Sequence, residues 1–122
     1  RKMKVRNEEP LAVKDAGFGL GVTQKFVSST NATGGIDLTE APEPGKKVAI
    51  IDLFISTNTA MIIYIRMETS GNNLAAFALS ANSTLVFSPR AYLRGDTVNK
   101  KIRLVSSASG TIGATVTYFS ED

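Results

Sequence analysis

The 122-residue sequence predicts an all-β fold, an antiparallel β-sandwich of jelly-roll type, with an extended N-terminal arm over 1–21 and the sandwich domain over 22–122. Three observations carry that expectation. Apolar residues alternate with a period of two in several runs, β-branched and aromatic residues dominate those runs, and Gly, Pro, Asn and Ser separate them at short intervals. No segment is long and periodic enough to read as a helix. A flattened barrel would use the same strands.

From Arg1 to Gly21 no period is sustained, and Pro10, Gly17, Gly19 and Gly21 interrupt either kind of element, so this part reads as an arm. Val22 to Ser28 alternates loosely and fits a first, half-exposed strand. Ser29 to Gly35 is a loop, Ile36 to Thr39 a short pairing segment, and Ala41-Pro42-Glu43-Pro44-Gly45 a turn or connector. In Lys46 to Thr57, Ala49, Ile51, Leu53 and Ile55 form one face, expected inside, and Val48, Ile50, Asp52 and Phe54 the other. Ala60 to Thr69 alternates Met61, Ile63, Ile65 and Met67 against Ile62, Tyr64, Arg66 and Glu68; the short polar link between the two runs predicts an antiparallel hairpin. After the turn residues Ser70-Gly71-Asn72-Asn73, Leu74 to Ser80 and Ser83 to Phe87 fit two more strands. Ser88 to Asp96 reads as a longer loop at one end of the sandwich. Lys100 to Ser106 and Thr111 to Phe119 close the chain, the last with Ile112, Ala114, Val116 and Tyr118 on one face.

Composition narrows the function. A hydrophobic fraction of 43% with 20% charged residues is that of a globular domain. The residues include no cysteine and no histidine. That removes disulfides, Ser-His and Cys-His nucleophile pairs, and nearly every zinc, copper or haem site, so neither an enzyme nor a cofactor is expected. The carboxylates scatter over connectors, strand faces and the tail and read as surface charge. Asp52 with Glu68 is the one conceivable calcium pair, without the closely spaced acids of a dedicated loop. Gly17-Phe18-Gly19-Leu20-Gly21 resembles a phosphate loop in composition, but no strand precedes it and no helix follows, so it reads as a hinge. No run of about 18 apolar residues suggests a membrane span.

The net charge is +3, and Arg1, Lys2, Lys4 and Arg6 crowd the start. No aromatic residues interleave with these or with Lys100, Lys101 and Arg103 as a stacking platform requires, so nucleic acid is not the expected partner; an acidic protein surface is. Ile50, Phe54, Ile62 and Tyr64 place apolar residues on the second faces of the two long strands. Solvated faces are usually polar, so this second face is expected to be covered, either by the arm folding over it or by another copy of the chain, and these four are the candidates for a subunit interface.

The stretch from Lys46 to Tyr118 resembles the head decoration or cement proteins of tailed bacteriophages. Four segments carry the likeness: the entry Gly45-Lys46-Lys47-Val48-Ala49-Ile50-Ile51-Asp52-Leu53-Phe54-Ile55-Ser56-Thr57, the hairpin end Glu68-Thr69-Ser70-Gly71, Leu79-Ser80-Ala81-Asn82-Ser83 leading to Phe87-Ser88-Pro89, and Ser106 to Tyr118. The resemblance implies an accessory virion subunit on the outer surface of the capsid. It would bind the major capsid protein across neighbouring copies and form a homo-oligomer, a trimer more often than a dimer. The expected capsid contacts are Arg1, Lys2, Lys4 and Arg6 in the arm and Arg90, Tyr92 and Arg94 in the loop. About 15 extended residues reach up to about 50 Å, enough for an arm to cross between subunits. A different reading is a tail, head-fibre or host-binding module, in which Tyr92 flanked by Arg90 and Arg94 would serve as a glycan platform.

Overall fold

The computed structural model describes residues 21–68 and 72–122. Among them every regular element is a strand: β1 (Val22–Ser29), β2 (Ile36–Asp37), β3 (Lys47–Thr57), β4 (Met61–Met67), β5 (Asn73–Leu79), β6 (Ser83–Phe87), β7 (Leu93–Arg94), β8 (Ile102–Ser106) and β9 (Ile112–Glu121). They form two antiparallel sheets. The first has the order β1-β9-β3-β6, with β7 also on β3, and the second the order β2-β8-β4-β5. Successive strands repeatedly change sheet, which is the connectivity of a jelly roll.

The two sheets meet along their apolar rows. Met61, Ile63, Ile65 and Met67 of β4 face the interior with Ile102 and Leu104 of β8, against Ile112, Ala114, Val116 and Tyr118 of β9. Alternation placed these rows correctly. On β3 it did so only in part, because the register with β9 slips between Ile50 and Asp52. Ile51 is the extra residue of a bulge, and a bulge reverses which side the following residues face. Val48 and Ile50 therefore point inward before it, and Leu53 and Ile55 point inward after it. Ile50 is 0% exposed and packs in the core, so it is not an interface residue.

Neither do β3 and β4 form the expected hairpin. Both edges of β3 are taken, by β9 on one side and by β6 and β7 on the other, while β4 lies between β5 and β8. The link between them is a corner that crosses from sheet to sheet. It is tied to the start of β9, where the Asn58 N–H donates to the Thr111 carbonyl at 3.1 Å and the Thr111 N–H donates to Asn58 Oδ1 at 2.9 Å. As a result Phe54 faces out from one sheet while Ile62 and Tyr64 face out from the other, and the four apolar candidates make no common patch.

The irregular stretch after β6 is also differently placed. β6 pairs with Leu53 to Thr57 and β7 with Ala49 and Ile50, so both lie on the same edge of β3. The residues between them leave that edge beside the bulge rather than at the end of the sandwich.

The sandwich is closed along both long sides. On one, Phe77 of β5 meets Phe87 of β6 with ring centroids 5.0 Å apart. On the other, Lys25 sits on the core-facing row of edge strand β1, opposite Val116, and its Nζ reaches Glu40 Oε2 at 2.8 Å. The Glu40 N–H donates to Tyr118 Oη at 3.1 Å. An inward lysine on an edge strand also discourages further strand pairing there.

Candidate interaction surfaces

The outer face of the first sheet is built from β1, β9, β3 and β6. Register places Phe26, Thr115, Phe54 and Val86 in one row across all four strands. Phe26 is 66% exposed, Phe54 41% and Val86 68%. Neighbouring strands lie about 4.8 Å apart, so the two phenylalanines stand about 9.5 Å from one another with Thr115 between them. The next row is Ser28, Gly113, Ser56 and Thr84, all small and uncharged. Gly113 makes room for the aromatic row: a Cβ there would stand 3.4 Å from Phe26 Cε1.

Beyond that row the face ends in a shallow hollow of about 360 Å³, formed where the ends of β3, β6 and β9 converge. Its walls carry hydroxyls and amides and no charge. Ser56 and Thr84 share a hydroxyl–hydroxyl hydrogen bond of 3.0 Å. Asn58 Oδ1 accepts from the Thr111 N–H and from Thr59 Oγ1, which fixes the amide and leaves its NH2 turned to other partners. Asn82 takes a positive φ of 57° at the tip of the β5–β6 turn, and its amide has no partner among the described residues. In the opposite direction the row of Gln24, Thr117 and Asp52 follows, and Ser88 Oγ donates to Asp52 Oδ1 at 2.6 Å.

The outer face of the second sheet has a different character. Ile62, 39% exposed, is in register with Ala78, and Tyr64 lies between Ala76 and Val105. The adjoining row reads Asp37, Arg103, Arg66 and Asn73, with the two arginines directly opposite one another. Like charges in that position repel, and each guanidinium turns outward along the row to an acceptor. Arg103 Nε donates to Asp37 Oδ1 at 3.1 Å and Arg66 Nε donates to Asn73 Oδ1 at 3.0 Å, with the Arg66 guanidinium over the Tyr64 ring at 5.4 Å. Lys101 Nζ donates to the other Asp37 oxygen at 2.9 Å. The hydrogen bond and charge of Lys101, helped by Arg103, hold the Asp37 carboxyl below its ordinary pKa, and Asp37 raises the pKa of Lys101 in return. Gly35 backs this cluster at φ +91°, and the space where its side chain would be is filled by the Arg103 guanidinium.

Of the loop candidates, Arg94 is committed within the molecule. Its Nε donates to Glu121 Oε2 at 2.6 Å, its Nη1 donates to the Ala91 carbonyl, and its guanidinium stands 5.5 Å from the Tyr92 ring. Tyr92 has a positive φ of 51° and meets Phe119 edge-on at 5.3 Å. Arg90 is exposed, with no hydrogen bond or ion pair among the described residues. Arg1, Lys2, Lys4 and Arg6, with the rest of the arm and most of the glycine-rich hinge, lie outside the described residues. Asp52 and Glu68 belong to different sheets, so the calcium pair is not assembled.

The sequence reading passed over Phe26, Val86 and the polar hollow. In sequence Phe26 is one residue of a half-exposed strand, and only the β1–β9–β3 register aligns it with Phe54. The hollow joins three segments far apart in the chain, and no local motif marks it.

No family model and no curated protein matches the chain. Among solved structures, it is similar to a protein of the disulfide-linked pili that form Bacillus endospore appendages, at 11% identity over 87% of this chain and 94% of that one, with a TM-score of 0.49. It is also similar to a chain of a virus-like particle of the extra small virus of the giant freshwater prawn Macrobrachium rosenbergii, at 15% identity over 83% and 80% of the two chains, with a TM-score of 0.32. Both neighbours are β-rich, and no phage decoration family is identified.

Proposed function

We propose that the chain is a structural subunit of a virus particle, a phage head decoration protein that binds the outer surface of the capsid and holds neighbouring major capsid proteins together. The observation that carries this reading is the outer face of the second sheet. Ile62, Tyr64 and Val105 make an apolar centre, and Arg66 and Arg103 border it. Protein-binding surfaces have this anatomy, with tyrosine and arginine contributing most of the affinity. The cationic border selects an acidic partner surface. The resemblance over Lys46 to Tyr118 supports the choice of partner.

In this reading the work is adhesion. A capsid filled with genome is under outward pressure, and a rigid sandwich bound across the joints between subunits raises the cost of separating them. Repetition over many sites makes modest contacts effective, more so if copies are joined as a homo-oligomer. The decisive experiment adds the purified chain to heads that lack it. Saturable, stoichiometric binding that protects heads from heat or chelator supports the proposal. No binding to heads of its own virus ends it.

A further inference from the structure

The outer face of the first sheet points away from the surface assigned to the capsid, and its chemistry is of another kind. From the row of Asp52 to the hollow, the side chains are neutral except Asp52 itself, which already accepts a hydrogen bond from Ser88. The charges on this face, Lys47, Arg94 and Glu121, lie at its far end, and Arg94 and Glu121 are paired. An anionic polymer would find no cation to pair with along this stretch, and a cationic one only Asp52 at its margin. An uncharged, hydroxyl-rich one would meet three complementary features together.

Two of them are the rings of Phe26 and Phe54. Both are exposed and both rise from one row of the same sheet face, with a stride comparable to that of a disaccharide. Aromatic faces pack against the C–H faces of pyranose rings, burying apolar area with little ordering cost because a strand-borne phenylalanine has few rotamers to lose. The third is the hollow beside Phe26. The NH2 of Asn58, the side-chain amide of Asn82 and the hydroxyls of Ser56, Thr84 and Thr111 supply both donors and acceptors, which sugar hydroxyls need in mixture. Asn58 is held in orientation by Thr111 and Thr59, so its donors are preorganised.

We infer that this face binds an extended neutral polysaccharide, with Phe26 and Phe54 as stacking platforms and Asn58 and Asn82 as the donors that fix its register. Val86 continues the row beyond Phe54. Binding of this kind needs no capsid, so a failure of head binding leaves it intact, and the reverse also holds.

Affinity electrophoresis of the full chain through gels containing dextran, barley β-glucan, xylan or mannan, with anionic alginate and cationic chitosan as controls, tests it. At least one neutral polymer should retard the protein saturably, and the charged ones should not. Phe26→Ala and Phe54→Ala should each weaken retardation about tenfold, the effect of losing one stacked aromatic contact. Asn82→Ala should weaken it several-fold, while Tyr64→Ala on the opposite face should leave it unchanged. Circular dichroism checks that each variant keeps its fold. No retardation by any neutral polymer overturns the inference, as does equal retardation by the charged ones. So does a Phe26→Ala/Phe54→Ala protein that binds no less well. If light scattering shows that this double variant breaks up an oligomer while no polymer retards the parent, the face is a contact between copies instead.

Discussion

Ile50 and Phe54, four residues apart on β3, point to opposite sides of their sheet although strict alternation would put them on the same one. The bulge at Ile51 separates them. Ile50→Ala should therefore destabilise the protein by about 2–5 kcal/mol through a core cavity. Phe54→Ala should stay within about 0.5 kcal/mol of the parent, as exposed sites do. Chemical denaturation measures both, and equal losses would mean that the bulge is misplaced.

Asp37 fastens the two-residue strand β2 to β8 through Lys101 and Arg103. Its folded pKa is depressed, so its contribution is complete above its ordinary value near 3.8 and disappears as the pH falls through the lower folded value. Lys101 works in the other direction. Its pKa is raised, so its share is complete below its ordinary value near 10.5 and is lost as the pH rises through the higher folded value. Melting temperatures across the acid range should fall less steeply in Asp37→Asn than in the parent. Parallel acid curves would assign the acid sensitivity to other groups.

Gly110 sits against the β3–β4 corner, where an added Cβ would lie 2.6 Å from Thr59 Oγ1 and 3.1 Å from Met61 Cε. Gly110→Ala should cost about 1–3 kcal/mol by overpacking. Thr59→Ala, which removes the Oγ1 that the added Cβ would meet, should recover part of the loss in the double variant. Denaturation midpoints of the four proteins in the cycle decide it.

For head binding, Tyr64→Ala should lower affinity at least about tenfold, as a central anchor does, and Arg66→Ala on the border should lower it several-fold. Lys47→Ala, on the opposite sheet, should leave it unchanged. Co-sedimentation of variants with undecorated heads gives the ranking, and a uniform response would remove the second sheet from the contact.

The strands and their inward rows were legible because burial on one face forces a two-residue period, as β4 and β9 show most clearly. Pairing was not, since it depends on which edges remain free after the whole chain has folded. Nothing near Asn58 reveals that β9, some fifty residues later, occupies the edge a hairpin partner would need. The bulge left one trace, the unbroken apolar run Val48-Ala49-Ile50-Ile51, which strict alternation does not explain. The candidate surfaces were legible only as single residues. Ile62 and Tyr64 were visible as apolar side chains on an outward row, whereas Phe26 acquires significance only through its alignment with Phe54.

The interrupted edge formed by β6 and β7 has an engineering consequence. Because both pieces hydrogen-bond to the same strand, the excursion between them leaves and rejoins β3 within a few residues, and extra chain inserted there would not pull on the core. A peptide epitope placed between Pro89 and Arg90 would be carried at the rim of the sandwich, away from the centres of both broad faces.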